Sequence, residues 1–249
     1  MNSLSAGVRN ETQKIFLRRK TFIFLFLTAA FPVASAVLFS FVQRKSGFTI
    51  TDSVNFPLLV LGLVVNFLLP LFIFMTASDV FAGEEGDKTL KIVLTRPITR
   101  LNVFVSKNAA VGIFIIIHLA VIFVASFLSG LVLEGTGAMQ GLGEGLKAYI
   151  VSCIPMISLS FACIFFAQFF KSASGALTTS IFIYLCIKGL PFILPKLAKF
   201  LPFSYTDWYT LWLGHTAGIG NIFPAFMYLL SYSILFFVAG FYLFDRKEL

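Results

Sequence analysis

The residues of this chain that could take part in chemistry are gathered in one segment, residues 78–107. That segment holds four acids followed by five bases: Asp79, Glu84, Glu85, Asp87, Lys88, Lys91, Arg96, Arg100 and Lys107. The whole chain has only thirty charged residues among 249, and uncharged stretches flank the segment on both sides. Adjacent carboxylates can serve catalysis or bind a partner, and the surrounding sequence decides between these two roles.

The sequence lacks the motifs that a hydrolytic enzyme needs. It has no His-Glu-x-x-His and no Gly-x-Ser-x-Gly, and none of its apolar stretches contains Asp or Glu. Prenyl-protein proteases also carry paired glutamates, but they have an arginine four positions after the second one, where this chain has Thr89. The run from Gly83 to Thr89 does not match the phosphate-binding loop motif of ATPases, because Asp87 occupies the position before the lysine, where the motif requires glycine. We therefore expect no ATPase activity in this chain.

Its three cysteines, Cys153, Cys163 and Cys186, do not indicate a redox or metal site. Their number is odd, they lack Cys-x-x-Cys spacing, and all three lie in apolar stretches. We expect them to have a packing role within the spans, and we expect no disulfide framework and no metal site.

Composition places the chain in a membrane. Only 12% of the residues are charged and the mean hydropathy is +0.93, whereas about 25% of the residues of a soluble domain are charged. A spanning helix needs about 20 apolar residues. The uncharged runs predict an all-α protein with six spans, near 21–43, 54–77, 108–132, 148–170, 172–190 and 222–244. Lys188 interrupts the fifth span and is expected to extend its ammonium group to the interface.

Basic residues indicate the orientation. With both termini inside, thirteen basic residues lie in inner segments and six in outer ones, so residues 78–107 are predicted to be cytoplasmic. The excess of basic residues in the inner segments therefore explains most of the net charge of +8. Nucleic-acid binding is not expected, because it would need aromatic residues that stack on bases in water, and the aromatic residues of this chain lie in the spans. A cleaved signal peptide, with Ala34, Ser35 and Ala36 at its end, is the competing interpretation of the first span.

Three segments outside the spans have patterns of their own. Residues 1–20 place Leu4, Val8 and Ile15 at helical spacing, which predicts an amphipathic helix at the inner interface; a frayed basic tail is the alternative. Residues 134–147 are rich in glycine and predict a flexible outer loop. Prolines and then aromatic residues in 191–221 predict short re-entrant helices in the outer leaflet before the sixth span.

The charged segment itself predicts a short helix. Gly83 and Gly86 allow a turn after the second span, and an apolar face of Leu90, Val93 and Leu94 follows, ended by Pro97. Such a helix can lie on the membrane or fit a groove on a cytoplasmic partner, and the acidic pair favours a partner, because an anionic leaflet repels carboxylates. Thr99 can cap the third span. Anchors at the lipid headgroups are predicted at Arg18, Arg19, Lys20, Arg100 and Lys107.

The run Glu84-Glu85-Gly86-x-x-Thr89-Leu90-x-x-x-Leu94-x-x-Pro97-x-x-Arg100, followed by Lys107, resembles the loop between the second and third spans of type-2 ATP-binding-cassette (ABC) permeases. It departs from that pattern where Asp87 and Lys88 separate Gly86 from Thr89, so either glutamate can be the family's acid. The resemblance extends to the layout of the whole chain.

This resemblance implies a permease subunit of an ABC exporter in the bacterial cytoplasmic membrane, with both termini inside. It implies a second permease copy or a homologue as partner, and two ATPase subunits, which carry ATP and Mg²⁺ and dock on a coupling helix within residues 84–97. This chain itself is expected to bind no cofactor. The predicted coupling residues are Glu84, Glu85, Gly86, Thr89, Leu90, Leu94, Pro97 and Arg100.

Two other classes stay open: an ion-coupled secondary transporter and a polytopic membrane enzyme. An ion-coupled carrier usually needs ionisable side chains or broken helices near the middle of the membrane. His118 is the candidate ionisable residue in the spans, although an interhelical hydrogen bond is its simpler role. Asn66 and Pro70 can kink the second span and present a polar face to a pathway; alternatively Pro70 is an ordinary transmembrane proline. The apolar spans suggest a hydrophobic or amphipathic substrate.

Overall fold

The computed structural model describes residues 3–46, 55–89, 98–135, 139, 141–193, 205–213 and 219–247. Within these ranges there is no strand, and the helices are α1 (Ser3–Leu17), α2 (Arg19–Ser46), α3 (Phe56–Gly86), α4 (Arg100–Glu134), α5 (Leu142–Ala167), α6 (Ala173–Ile193), a 3₁₀ helix (Trp208–Trp212) and α7 (Ile219–Asp245). Six of them, α2 to α7, are long and apolar enough to cross a membrane. The predicted all-α fold with six spanning helices is confirmed.

Two of the spanning helices begin well before the predicted spans. α4 starts at Arg100 because Thr99 caps it, its Oγ1 accepting a hydrogen bond from the backbone N–H of Asn102 at 3.3 Å. α5 starts at Leu142, so part of the predicted outer loop 134–147 is helical. Near this end Tyr149 contacts the Ser126 hydroxyl at 3.0 Å and donates to the Pro57 carbonyl at 3.1 Å, which joins α5 to α4 and α3.

The core is built around α4, which packs against α1, α2, α3, α5 and α7. Near the N-terminal end of α4 the Phe104 ring lies 5.8 Å from the ring of Phe81 on α3, and 5.2 and 5.5 Å from the rings of Phe237 and Phe244 on α7. Aromatic pairs at these separations stabilise packing beyond the area they bury. Most of α2, in contrast, is apolar and exposed, so that surface faces lipid or another subunit.

The N-terminal segment is helical from Ser3 to Leu17, so the frayed-tail alternative is wrong for these residues. The helix packs along α4, with Ile15 buried and Gly7 in close contact with Ser106. A Cβ atom at Gly7 would lie 2.5 Å from the Ser106 hydroxyl oxygen, so a larger residue there would require the Ser106 side chain to move. The position of α1 at the membrane interface stays a prediction.

Helix α3 contains two π-helical turns, at Val64–Leu68 and Asp79–Gly83. Near the first π turn, Pro70 has no N–H that could donate to the Asn66 carbonyl four positions earlier. The Asn66 carbonyl accepts a hydrogen bond from the Tyr184 hydroxyl at 2.8 Å instead. A neighbouring side chain thus satisfies the carbonyl that the proline frees, as expected of an ordinary transmembrane proline. Because π turns are frequent at functional sites, these two turns direct attention to their surroundings.

The predicted re-entrant segment 191–221 is described only in part. α6 continues through Pro191 to Ile193, and the 3₁₀ helix Trp208–Trp212 packs against α5 and α7 with Trp208 buried. Residues 194–204 and 214–218 lie outside the described residues. Re-entry into the outer leaflet therefore stays a prediction.

Candidate functional site

Three charged side chains from three helices meet at the end of the bundle that the basic residues predict to be inside, and we name them the inner ion cluster: Glu11, Glu84 and Lys107. The Lys107 Nζ lies 2.6 Å from a Glu84 carboxylate oxygen and 3.0 Å from one of Glu11. It also donates to the Val80 carbonyl at 3.4 Å. Lys107 is completely buried and both glutamates are more than nine-tenths buried. One ammonium group therefore joins α1, α3 and α4.

The second π turn explains why Glu84 is buried. A π turn holds one residue more than an α turn, and one residue corresponds to a rotation of about 100° in a helix of 3.6 residues per turn. The turn at Asp79–Gly83 immediately precedes Glu84, which points inward to Lys107, while Glu85 pairs with Lys247 beyond α7. The two adjacent acids thus have different partners.

More ion pairs surround the cluster at the junction of α1 and α2. Lys14 contacts Glu11 at 2.8 Å and Glu84 at 3.8 Å. Arg18 lies 3.5 Å from Asp79 and 3.9 Å from Glu84, and Lys20 lies 3.2 Å from Asp79. These pairs are partly exposed, so each contributes little to stability on its own.

Electrostatics keep the Glu11 carboxylate charged. Burial by itself raises the pKa of Glu11, but the charge of Lys107 and the hydrogen bonds from Lys14 and Lys107 outweigh burial, and the pKa lies below its ordinary value of 4.5. Glu11 is therefore ionised at neutral pH, as an ion pair with Lys107 requires.

The C-terminus is tied to the same end of the molecule. Arg100 Nη1 donates to the carbonyl oxygens of Asp245 and, at 3.2 Å, Lys247. A cation at the end of a helix satisfies carbonyl groups that lack an intrahelical partner and opposes the negative end of the helix dipole. Together with the pair Glu85–Lys247, this contact connects α7 to the region that follows α3.

The chain leaves α3 through a tight turn. A Cβ atom at Gly86 would lie 2.4 Å from the Lys171 carbonyl oxygen, so a side chain there would displace the loop before α6. Lys88 has a φ of 57°, in the left-handed region, and Thr89 donates its hydroxyl to the Glu84 carbonyl at 3.2 Å. These contacts end the helix. The predicted coupling residues Leu90, Leu94 and Pro97 lie outside the described residues.

Two predicted lipid anchors have another role. Lys107 does not reach lipid headgroups, because its ammonium group is wholly enclosed by Glu11, Glu84 and the Val80 carbonyl. The anchor prediction for Lys107 is wrong for this reason, and Arg100 caps α7 instead of pointing to lipid. Arg18 and Lys20 are ion-paired, and Arg19 is exposed; lipid contact by these three residues stays a prediction.

A second group of polar residues surrounds the first π turn, toward the end of the bundle that is predicted to be outside, and we name it the outer polar cluster: Asn66, Tyr184, Lys188, Thr206 and Asp207. The Lys188 Nζ donates to the Asn66 side-chain oxygen and to the Thr206 hydroxyl, both at 2.6 Å. The Asn66 Nδ2 donates to an Asp207 oxygen at 2.6 Å. Lys188 was expected to extend toward the interface, but its partners are protein groups. A lysine within a span, with Asn66 and Pro70 in another, was the sequence signal for this cluster.

His118 and Pro70 are buried within the bundle. The His118 Nδ1 contacts the Phe114 carbonyl of its own helix at 2.8 Å, so the expected interhelical bond is not the one seen. Its ring packs on Phe114, with centroids 3.9 Å apart, and lies 6.1 Å from Phe72. Neither residue reaches the surface of the chain here, and a role for them or Asn66 in a translocation pathway stays a prediction.

The geometry suits mechanical coupling better than catalysis. The carboxylates and the amine of the inner ion cluster satisfy one another and are shielded from solvent, so none is free to act on a substrate. Among the described residues no group of three or more His, Cys, Asp or Glu is placed to hold a metal ion. What the cluster can do is make α1, α3 and α4 move together.

Comparisons with known proteins cover the same region. Residues 8–188 match the model of a family described as "ABC-2 family transporter protein". The chain is 24% identical over 234 residues to the "Uncharacterized protein YhcI" of Bacillus subtilis, covering 84% of this chain and 72% of that protein. It is also 24% identical over 249 residues to the "Uncharacterized membrane protein YdbK" of the same bacterium, covering 94% and 98% of the two chains. The matched region includes the inner ion cluster and Lys188.

Proposed function

Because the chain belongs to the ABC-2 transporter family, we propose that it is the membrane subunit of an exporter whose ATPase subunits dock on residues 84–97. It is a multi-pass membrane protein of a family that works with ABC ATPases. The observation that carries the proposal is the inner ion cluster, because it lies where the segment 84–97 leaves α3.

The contacts describe how a push on this segment would reach the bundle. Glu84 is the first residue of the segment, and its bond to Lys107 connects the end of α3 to α4 and, through Glu11, to α1. Glu85 connects the same point to the C-terminus beyond α7. A displacement of the segment therefore displaces four helices and not the loop alone.

Energetics favour movement as one body. Removing one partner of a buried ion pair costs about 3–5 kcal/mol, because it leaves an uncompensated charge in a medium that solvates it poorly. The ion pairs of the inner ion cluster therefore stay formed during a movement in which weaker contacts would break. In this mechanism Glu84 and Glu85 transmit force inside the subunit, and the apolar face of residues 90–94 contacts the ATPase.

The other parts of the proposal follow from the family and the sequence. The subunit works as a pair with a second copy or a homologue, in a bacterial cytoplasmic membrane, with both termini inside. ATP and Mg²⁺ bind the ATPase subunits. A hydrophobic or amphipathic substrate is supported by the composition of the spans, whose mean hydropathy reaches 2.8 in α4.

Docking is tested by purifying the tagged chain from its native membrane in a mild detergent and identifying the retained proteins by mass spectrometry. The variant Leu90→Asp with Leu94→Asp places two charges on the predicted contact face. Met139→Asp, at an exposed position in the outer loop, is the matched control. We expect an ATPase with Walker motifs to be retained by wild type and control and lost by the double variant.

Retention of the ATPase by all three proteins would show that the docking site lies elsewhere. If none retains an ATPase under several mild conditions, the exporter proposal is overturned. ATP-dependent uptake of a fluorescent hydrophobic cation into inside-out vesicles then tests direction and substrate class. Uptake that depends on a proton gradient, and not on ATP, would favour a secondary transporter.

A further inference from the structure

A cleft of about 790 Å³ opens at the inner end of the molecule, beside the inner ion cluster but not part of it. Three pieces of chain form it: the start of α2, the end of α3 and the loop before α6. Its lining residues are Arg18, Arg19, Lys20, Asp79, Gly83, Gly86, Asp87, Lys171, Ser172 and Ala173. Volumes of about 300–1,000 Å³ are typical of small-molecule sites. The cleft is therefore large enough for a ligand.

The charge of the cleft favours an anion. Four cations face two carboxylates, which leaves a formal charge of +2. Two of the cations, Arg18 and Lys20, pair with Asp79. The other two, Arg19 and Lys171, are exposed and have no ion-pair partner among the residues that the structure describes. A ligand with a phosphate group would supply the missing counter-charge.

The position of the cleft along the membrane normal indicates the source of that phosphate group. α3 has 31 residues and is about 46 Å long, which matches the full bilayer thickness of about 40–45 Å with its headgroup layers. The lining residues Asp79 to Asp87 form its last two turns and the turn that follows. Arg19 begins α2, and Ala173 begins α6. All three elements thus line the cleft at the level where spanning helices leave the hydrocarbon layer.

We propose that this cleft binds the headgroup of one anionic phospholipid of the inner leaflet, with the phosphate between Arg19 and Lys171. On the third side Gly86 lies directly against the Lys171 backbone, which fixes the loop before α6 beside the end of α3. The bound lipid joins α2 to the loop before α6, two elements that have no ion pair between them in the described part of the chain. The site does not depend on an ATPase partner.

The experiment uses the purified full-length chain, delipidated and titrated with phosphatidylglycerol in native mass spectrometry. The test variant is Arg19→Gln with Lys171→Gln, and the charge-preserving variant is Arg19→Lys with Lys171→Arg. The matched control is Arg44→Gln with Lys45→Gln, which removes the same charge from the outer end of α2. Phosphatidylcholine and inorganic phosphate serve as competing probes.

We expect wild type to retain one phosphatidylglycerol per chain, in preference to phosphatidylcholine. The loss of two cations near the membrane surface weakens retention by roughly thirtyfold. The charge-preserving variant and the outer control stay within about twofold of wild type.

Equal retention of phosphatidylglycerol by the wild type and the test variant overturns the proposal. Displacement of the lipid by millimolar inorganic phosphate shows a site for free phosphate and also overturns it. A test variant that keeps the lipid but loses the ATPase during purification shows that the cleft is a protein-docking surface. That result leaves the proposed transporter function intact, so the two failures are distinguishable.

Discussion

The two π turns of α3 have polar surroundings of opposite kinds. Around the inner turn, two buried carboxylates share one buried ammonium group, and Lys107 has no exposed surface. Around the outer turn, one half-buried lysine is held mainly by neutral groups, the Asn66 amide and the Thr206 hydroxyl. The difference teaches that the same backbone irregularity can serve two purposes. The inner contacts resist separation, whereas the outer ones can be exchanged for water at small cost.

This contrast fits a bundle whose inner end moves as a unit and whose outer end can rearrange. Breaking a buried ion pair exposes a charge that nothing else satisfies. Breaking neutral hydrogen bonds costs about 0.5–1.5 kcal/mol each when water can replace the partner. The outer polar cluster also connects α3 and α6 to residues 205–213, which pack beside the outer end of the bundle.

The largest effect is expected for Lys107→Met. It removes the buried ammonium group that the Glu11 and Glu84 carboxylates share, and the other cations near these carboxylates are partly exposed. We therefore expect a loss of about 3–5 kcal/mol in stability. Thermal unfolding in detergent, followed by fluorescence, measures it. Lys147→Met, at an exposed outer position, is the control. Adding Glu11→Gln and Glu84→Gln to Lys107→Met restores much of the loss; a triple variant as unstable as the single one would contradict the charge explanation.

A smaller effect is expected for Lys188→Met, about 1–3 kcal/mol, because the groups that accept its hydrogen bonds, the Asn66 amide and the Thr206 hydroxyl, are neutral. The same unfolding assay compares it directly with Lys107→Met. An equal loss of stability in both variants would contradict the proposed difference in strength between the two clusters. The contrast is sharpened if Lys188→Met also increases the labelling of a cysteine placed at Thr210, which is exposed beside the outer polar cluster.

Acid should weaken the inner ion cluster selectively. The pKa of Glu11 is lower in the folded chain than its ordinary value of 4.5, so its stabilising effect is complete above about pH 4.5 and is lost as the pH falls through the folded-state pKa. Unfolding temperatures between pH 7 and pH 3 should therefore fall less steeply for Glu11→Gln than for wild type. Glu144→Gln, at an exposed outer position, should follow the wild-type curve.

The smallest effect is expected for Tyr184→Phe. It removes the hydroxyl that satisfies the Asn66 carbonyl freed by Pro70. Interhelical hydrogen bonds in membranes average about 0.6 kcal/mol, so the loss should be near that value. Tyr242→Phe, on an exposed part of α7, supplies the matched control in the same assay. A cost above about 2 kcal/mol would mean that the outer polar cluster is as rigid as the inner one.

The sequence was sufficient for the elements that local patterns determine. Apolar runs between charges placed the six spans, and Thr99 marked the beginning of α4. The inner ion cluster was missed because Glu11 and Lys107 are 96 positions apart, and Lys107 alone resembled a headgroup anchor. Asn66 and Pro70 suggested a kink where the first π turn lies, but no residue signalled the second π turn. Side-chain partners across helices depend on packing, which periodicity does not describe.

The contact of Arg100 with the end of α7 has a consequence for the synthesis of the chain. Its partner Asp245 is 145 positions later in the sequence, so the guanidinium group has no carbonyl to bind until the last helix is made. A chain that stops before α7 also leaves the Phe104 ring without Phe237 and Phe244. Truncated products should therefore display the Arg100 guanidinium group without its carbonyl partners, beside an aromatic surface that α7 would otherwise cover.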